Sequence, residues 1–231
     1  MLQGGMSFAS ESIRRLKNNI IYQNGSNPPK TIAVTSAEKG DGKSTVAANL
    51  GVAFADDGYK TLIIDADFRR PKINENFGLN DAAGLSDYLN ARISIEELIQ
   101  NTDINTLKVI TAGKDQKTLE KPENIGSSLT FKQLLRKMED QFDVIILDTP
   151  PFGIISDSVA LLKDADSTLV VARYRKTNKG LLFRTIEELG RINANVTDII
   201  LNDFDHSKES GQYYGSGYYK SLSENYEAYA K

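Results

Sequence analysis

The chain has 231 residues, with 28 Lys and Arg against 31 Asp and Glu, a net charge of −3, and no cysteine. This length, with 40% hydrophobic residues, supports one large domain rather than several, and the near-neutral balance gives no basis for nonspecific nucleic-acid binding. Disulfides and thiolate chemistry are excluded; no apolar run approaches the ~20 residues that span a bilayer, and no signal peptide is apparent. A cytoplasmic chain is expected, reaching a membrane only through a partner.

In chain order, Met1-Leu2-Gln3-Gly4-Gly5-Met6 reads as an appended or fused segment and carries no fold signal. Residues 11–20 predict an amphipathic helix, with Ile13, Leu16 and Ile20 on one face and Glu11, Arg14 and Lys17 on another. Residues 24–29 form a linker. They close an N-terminal segment, 1–29, ahead of the main domain, 30–204, and a tail, 205–231. A β-branched strand at 31–35 leads into Ala37-Glu38-Lys39-Gly40-Asp41-Gly42-Lys43-Ser44, and a helix follows with Val46, Leu50, Ala53 and Phe54 at helical spacing. This strand, loop and helix are the layout of a phosphate-binding loop. Gly40 and Gly42 let backbone N–H groups, that of Asp41 among them, converge on phosphate oxygens. Lys43 adds a charge, and the Ser44 hydroxyl can ligate Mg²⁺. With Thr45 these residues form the predicted nucleotide-binding set. Lys43 serves phosphate charge and fills no apolar core position, so its loss is expected to leave the fold intact.

Further strands are predicted at 61–64, 107–111, 143–147, 167–172 and 198–201, and helices at 128–139 and 180–191. Apolar runs of this kind suit strands buried on both faces, and right-handed crossovers then give an α/β, doubly wound, mostly parallel sheet. No internal repeat is present. The second strand ends in Asp65-Ala66-Asp67-Phe68-Arg69-Arg70-Pro71 and the fourth in Asp148-Thr149-Pro150-Pro151. Ligands bind at the carboxyl ends of such strands, so Asp148 fits a carboxylate that holds Mg²⁺ directly or through water.

Strand-Asp-x-Asp-x-Arg followed by strand-Asp-Thr-Pro-Pro resembles the paired signature of the bacterial tyrosine kinases, which use a P-loop ATPase scaffold related to the partition and cell-division ATPases. The likeness runs from about Glu11 through the tail and is to the Gram-positive capsular and exopolysaccharide form. It implies a separate cytoplasmic kinase, recruited to the inner face of the plasma membrane and activated by the cytoplasmic segment of a membrane partner. It implies ATP and Mg²⁺ as cofactors, protein tyrosine substrates and a cognate phosphatase, and a homo-oligomeric ring in the unphosphorylated state. Glu11, Arg14 and Lys17 match the family's oligomerisation motif with lysine in place of the last arginine, and lysine cannot make the bidentate fork to a carboxylate. The segment 114–125 departs from the family pattern in lacking a proline-rich approach to the following helix. A second class shares the scaffold: an ATPase switch that works by nucleotide-dependent dimerisation. That branch carries a signature lysine where this chain has Glu38, with Lys39 one residue out of register.

Ten tyrosines occur, and six fall in the last nineteen residues: Tyr213, Tyr214, Tyr218, Tyr219, Tyr226 and Tyr229. Interleaved with glycine and serine and short of aliphatic residues, the stretch is expected to be flexible, a set of exposed phosphoacceptors. The catalytic set is Lys43, Asp65, Asp67 and Asp148. Mg²⁺ is assigned to Ser44, Asp67 and Asp148, and Asp65 is the preferred proton acceptor, although the two carboxylates could exchange roles. On the family pattern Asn202 faces the adenine. Arg173, Arg175 and Lys176 either border the nucleotide or form a solvated loop, and His206, the one histidine, is read as a bystander.

Overall fold

The computed structural model of the chain describes residues 8–79, 83–113, 126–152 and 158–204. The opening residues, the 114–125 segment, His206 and the tyrosine cluster lie outside them. The elements are α1 (Phe8–Gln23), β1 (Thr31–Ser36), α2 (Lys43–Asp56), β2 (Thr61–Asp65), α3 (Ile73–Phe77), α4 (Leu85–Leu89), α5 (Ile95–Leu98), β3 (Gln100–Asn101), β4 (Leu107–Ile110), α6 (Leu129–Glu139), β5 (Val144–Asp148), α7 (Val159–Asp164), β6 (Ser167–Arg173), α8 (Lys179–Arg191) and β7 (Val196–Asn202).

The strands form one sheet in the order β3-β4-β2-β5-β1-β6-β7, parallel throughout except where β3 meets β4. The chain moves from β1 to one side of the sheet, and later from β5 to β6 across β1. The carboxyl end of β1 is therefore where the winding reverses, the place at which open α/β sheets bind ligands. Every residue of β1, β2 and β5 is buried, because helices cover both faces. The pleat divides them: Ile32, Val34, Ile63 and Ile146 pack with α1, α2 and α3, whereas Ala33, Leu62, Ile64, Ile145 and Leu147 pack with α6, α7 and α8.

Helix α2 is buried along most of its length, Val46, Leu50, Val52 and Phe54 among its core residues. Gly51 permits its close approach to β2, since a Cβ there would stand 2.5 Å from Ile63 Cδ1. Its outer side is covered by α1, whose Ile20 is 2% exposed. The expected polar face of α1 is corrected here: Lys17 points inward and pairs with Asp57 just beyond the end of α2. Its side chain is 4% exposed, and burial, then the neighbouring Arg14, lowers its pKa. Of the three motif residues, Arg14 is exposed and Glu11 half-buried, so Lys17 secures α1 to α2 instead of joining them on an open face.

Helices α6 and α8 begin at side-chain caps. Ser128 accepts the amide of Phe131 at the start of α6, and Asn178 accepts that of Leu181 at the start of α8. The sequence reading left out β3 and the short helices α3, α4, α5 and α7. These are two to six residues long, too short to show a period.

Candidate active site

Four strand ends converge at the carboxyl edge of the sheet. β1 delivers the loop 37–44, β2 delivers Asp65 and Asp67, β5 delivers Asp148, and β7 delivers Asn202. Asp148 stands in register with Val34 on one side and Asp65 on the other.

The loop has the backbone of an anion cradle. Gly40 and Gly42 adopt φ of +87° and +96°, a left-handed conformation that side chains disfavour. At Gly42 a Cβ would also lie 2.0 Å from Asn202 Nδ2. Helix α2 starts at Lys43 with no side-chain cap and no acidic residue in its first turn. Its leading amides are thus directed at the loop's concavity, where an anion is favoured.

Lys43 is 8% exposed. Its Nζ lies 2.7 Å from Asp67 Oδ2, 3.2 Å from Asp148 Oδ1 and 3.1 Å from Ser44 Oγ. Burial works against its charge, but Asp148 and Asp67 together outweigh that and hold its pKa above the ordinary lysine range. The expectation that Lys43 is dispensable to the fold is therefore corrected: it neutralises two buried carboxylates.

Asp148 is fully buried. Burial raises its pKa against the opposing pull of Lys43 and Ser44, and its Oδ2 has no hydrogen-bond partner. A buried carboxylate oxygen without a partner calls for one. Together with the Ser44 hydroxyl it offers the hard oxygen donors that Mg²⁺ takes. Among the described residues no group of three or more His, Cys, Asp or Glu could hold a metal unaided.

The two aspartates at the end of β2 and just past it are engaged differently. Asp67 faces Lys43 with one oxygen and accepts the Arg70 amide, at 3.1 Å, with the other. Asp65 accepts the amides of Asp67 at 3.1 Å, Lys72 at 3.0 Å and Ile73 at 3.1 Å, and so ties the loop that carries Asp67 to the start of α3. Its pKa is pushed up to about 8 by burial and then by Asp148, against those amides and Lys43. Both carboxylates are thus engaged through both oxygens, Asp65 by three amides and Asp67 by the Lys43 cation and the Arg70 amide.

Asn202 lies across the loop, its Nδ2 donating to the Asp41 carbonyl at 2.9 Å. Thr45 is exposed at the start of α2. Arg173 borders the loop, with Nη1 3.4 Å from the Gly40 carbonyl and Nε 2.8 Å from Asp203 Oδ2, whereas Arg175 and Lys176 are exposed. Sequence reasoning missed Thr35 and Thr149. Thr35 Oγ1 donates to the Pro150 carbonyl at 2.9 Å, and Thr149 Oγ1 to the Val34 carbonyl at 3.0 Å, which pins the segment after Asp148 to β1. It also missed Thr177 and Asn178, which bond to Asp41 and Glu38. Contacts across more than a hundred residues leave no local signal.

Residues 29–198 match the family described as AAA domain. The tyrosine-protein kinase YwqD of Bacillus subtilis (strain 168) is 34% identical over 211 residues, covering 91% of this chain and 88% of that protein. The chain belongs to the bacterial tyrosine kinases. The crystal structure of the chimerical protein CapA2B2 superposes on the kinase with a TM-score of 0.80 at 31% identity, covering 86% of each chain. The cell-division ATPase MinD of Pyrococcus furiosus, at 24% identity and a TM-score of 0.65 over 78% of this chain and 74% of its own, shares the fold. The kinase is thus a protein-tyrosine kinase on a P-loop scaffold, and among its described residues no helix is long and apolar enough to cross a membrane.

Proposed function

We propose that this kinase binds ATP with Mg²⁺ at the carboxyl ends of β1, β2 and β5 and phosphorylates in trans the tail tyrosines of a neighbouring copy, Tyr213, Tyr214, Tyr218, Tyr219, Tyr226 and Tyr229. The observation that carries the reading is Lys43 held between Asp67 and Asp148 beside Ser44, with Asp148 Oδ2 unpaired. The amides of residues 40–45 and Lys43 hold the phosphates, and Ser44, Asp67 and Asp148 hold the metal. When bound, Mg²⁺ neutralises charge on the β- and γ-phosphate oxygens. A tyrosine phenol titrates near ~10 and needs a proton acceptor. We assign that part to Asp65, the one of the two carboxylates that is not in the metal-holding set. Little covalent work is left to the protein, whose residues position the groups and supply charge.

The resemblance to capsular and exopolysaccharide kinases supports a part for the kinase in capsular or extracellular polysaccharide synthesis and export. There it would be recruited to the membrane by a partner's cytoplasmic segment and reset by a phosphatase. A partition-type switch is the less favoured reading, because Glu38 stands at the signature-lysine position and accepts the Asn178 amide of its own chain at 2.8 Å. Incubation of the full chain with ATP and Mg²⁺, followed by phosphosite mass spectrometry, separates the two. Phosphate on the tail tyrosines supports the kinase reading; ATP turnover with an unmodified tail supports the switch.

A further inference from the structure

The phosphate loop is tied to a turn that the chemistry above leaves unused. Between β6 and α8, Lys176 N and Thr177 N both donate to the Arg173 carbonyl, at 3.1 and 3.0 Å, and Arg175 sits at φ +55°. Three bonds cross from this turn to the loop: Thr177 Oγ1 to Asp41 Oδ1 at 2.6 Å, Asn178 N to Glu38 Oε2 at 2.8 Å, and Arg173 Nη1 to the Gly40 carbonyl at 3.4 Å. Asp41 is their centre. It is 3% exposed, its second carboxylate oxygen accepts the Glu38 amide at 2.9 Å, and its carbonyl accepts Asn202 Nδ2 at 2.9 Å. The Thr177 hydroxyl is used twice, since it also accepts the Arg173 amide at 2.6 Å.

A buried carboxylate inside a loop whose amides must face a polyanion is a liability unless its charge is spent elsewhere. The Thr177 hydroxyl and the Glu38 amide spend it. Without Thr177, Asp41 Oδ1 becomes a buried acceptor with no partner. The loop then also loses one of the three contacts that hold Asp41 in place. We infer that Thr177 is a positioning residue for phosphoryl transfer, acting through Asp41 to keep the phosphate loop in its anion-binding conformation. The inference rests on the phosphate-loop reading of residues 37–44.

The test compares the full wild-type chain with Thr177→Ser and Thr177→Val by thermal unfolding, calorimetric ADP binding, and KM for ATP against kcat. Loss of a hydrogen bond to a charged group should weaken ADP binding and raise KM by about tenfold or more in Thr177→Val. In that variant kcat at saturating ATP should stay within about twofold, since no group touching the reactants has changed. Thr177→Ser keeps the hydroxyl and should match wild type. Adding Asp41→Asn to Thr177→Val removes the stranded charge and should recover most of the affinity, and this double variant carries the test if Thr177→Val alone does not fold. An unaltered affinity in Thr177→Val, a serine variant as weak as the valine one, or a double variant without recovery would each overturn the inference. A wild-type chain that binds no ADP would overturn the phosphate-loop reading and the inference with it.

Discussion

Replacing Lys43 by methionine should do two things at once, and the structure sets the size of the first. Lys43 Nζ is 2.7 Å from Asp67 and 3.2 Å from Asp148, and both carboxylates are buried, at 2% and 0% exposure. At an effective dielectric near 20 each pair gains about 5–6 kcal/mol of Coulomb attraction, most of it offset by the cost of removing three charges from water. Removing the shared cation leaves two carboxylates facing each other without compensation, and breaking a buried pair in this way costs about 3–5 kcal/mol. For a chain of this size the lower figure corresponds to roughly 6–12 °C in unfolding temperature. Methionine matches the lysine stem in volume, so packing adds little. The loss should shrink as the pH is lowered, because protonation relieves the stranded charges. Phosphoryl transfer should vanish at every pH, since Lys43 is the cation held against Asp67, Asp148 and Ser44 at the site. Thermal unfolding of both nucleotide-free proteins between pH 5 and pH 8 and a kinase assay on the same samples test both parts. A Lys43→Met protein as stable as wild type at pH 8, or one that phosphorylates the tail at the wild-type rate, would refute the reasoning.

Asp148→Ala should abolish turnover at saturating ATP and Mg²⁺ while ADP still binds without metal, because the lost group serves the metal and the transition state more than the nucleotide; near-normal turnover would remove Asp148 from the metal site. Gly42→Ala should lower ADP affinity at least tenfold, since the new side chain is strained by about 1–2 kcal/mol at positive φ and displaces Asn202; calorimetry showing unchanged affinity would contradict the cradle. In chelator and without nucleotide, Asp65 keeps its proton in the folded chain up to about 8, whereas an unfolded aspartate releases it near ~3.9. The folded state then binds more protons across that window, so its contribution to stability is full below pH ~4 and declines as pH rises through about 8. Wild type should lose stability over that range relative to Asp65→Asn, and parallel pH profiles would deny the shift. Phosphorylation adds about −1.5 to −2 charges per tyrosine, roughly −9 to −12 over six. Light scattering should therefore show a large unphosphorylated assembly, in the presence of the activating segment, giving way to monomers.

The central strands were readable because burial on both faces writes itself as unbroken apolar runs. 143–147 against Val144–Asp148 and 167–172 against Ser167–Arg173 differ by a residue at each end or at one. The phosphate loop was equally legible, since its glycines, lysine and serine are contiguous. Elements of two to six residues, such as β3 and α3, carry no period to read and are held by tertiary contact; α3 starts where Asp65 accepts the Lys72 and Ile73 amides. Lys17 was misplaced for a related reason. A lysine among arginines on a helix reads as solvated unless its counter-charge is known, and Asp57 lies forty residues away, just past the end of the next helix. The different partners of Asp65 and Asp67 were hidden for another reason: most are backbone amides two to eight residues on, which two alternating aspartates do not distinguish. Thr177 was passed over because nothing near it in sequence names Asp41, 136 residues earlier.

The central claim is that the cluster around Lys43 transfers phosphate to the tail of another copy, and a mixing experiment addresses it directly. A donor chain keeps its site but has all six tail tyrosines replaced by phenylalanine; an acceptor chain keeps its tail but carries Lys43→Met. With ATP, Mg²⁺ and the activating segment, intact-mass spectrometry should show the acceptor gaining up to six phosphates while the donor tail gains none and neither chain alone reacts. An acceptor that stays unmodified beside a donor that turns over ATP would contradict the account.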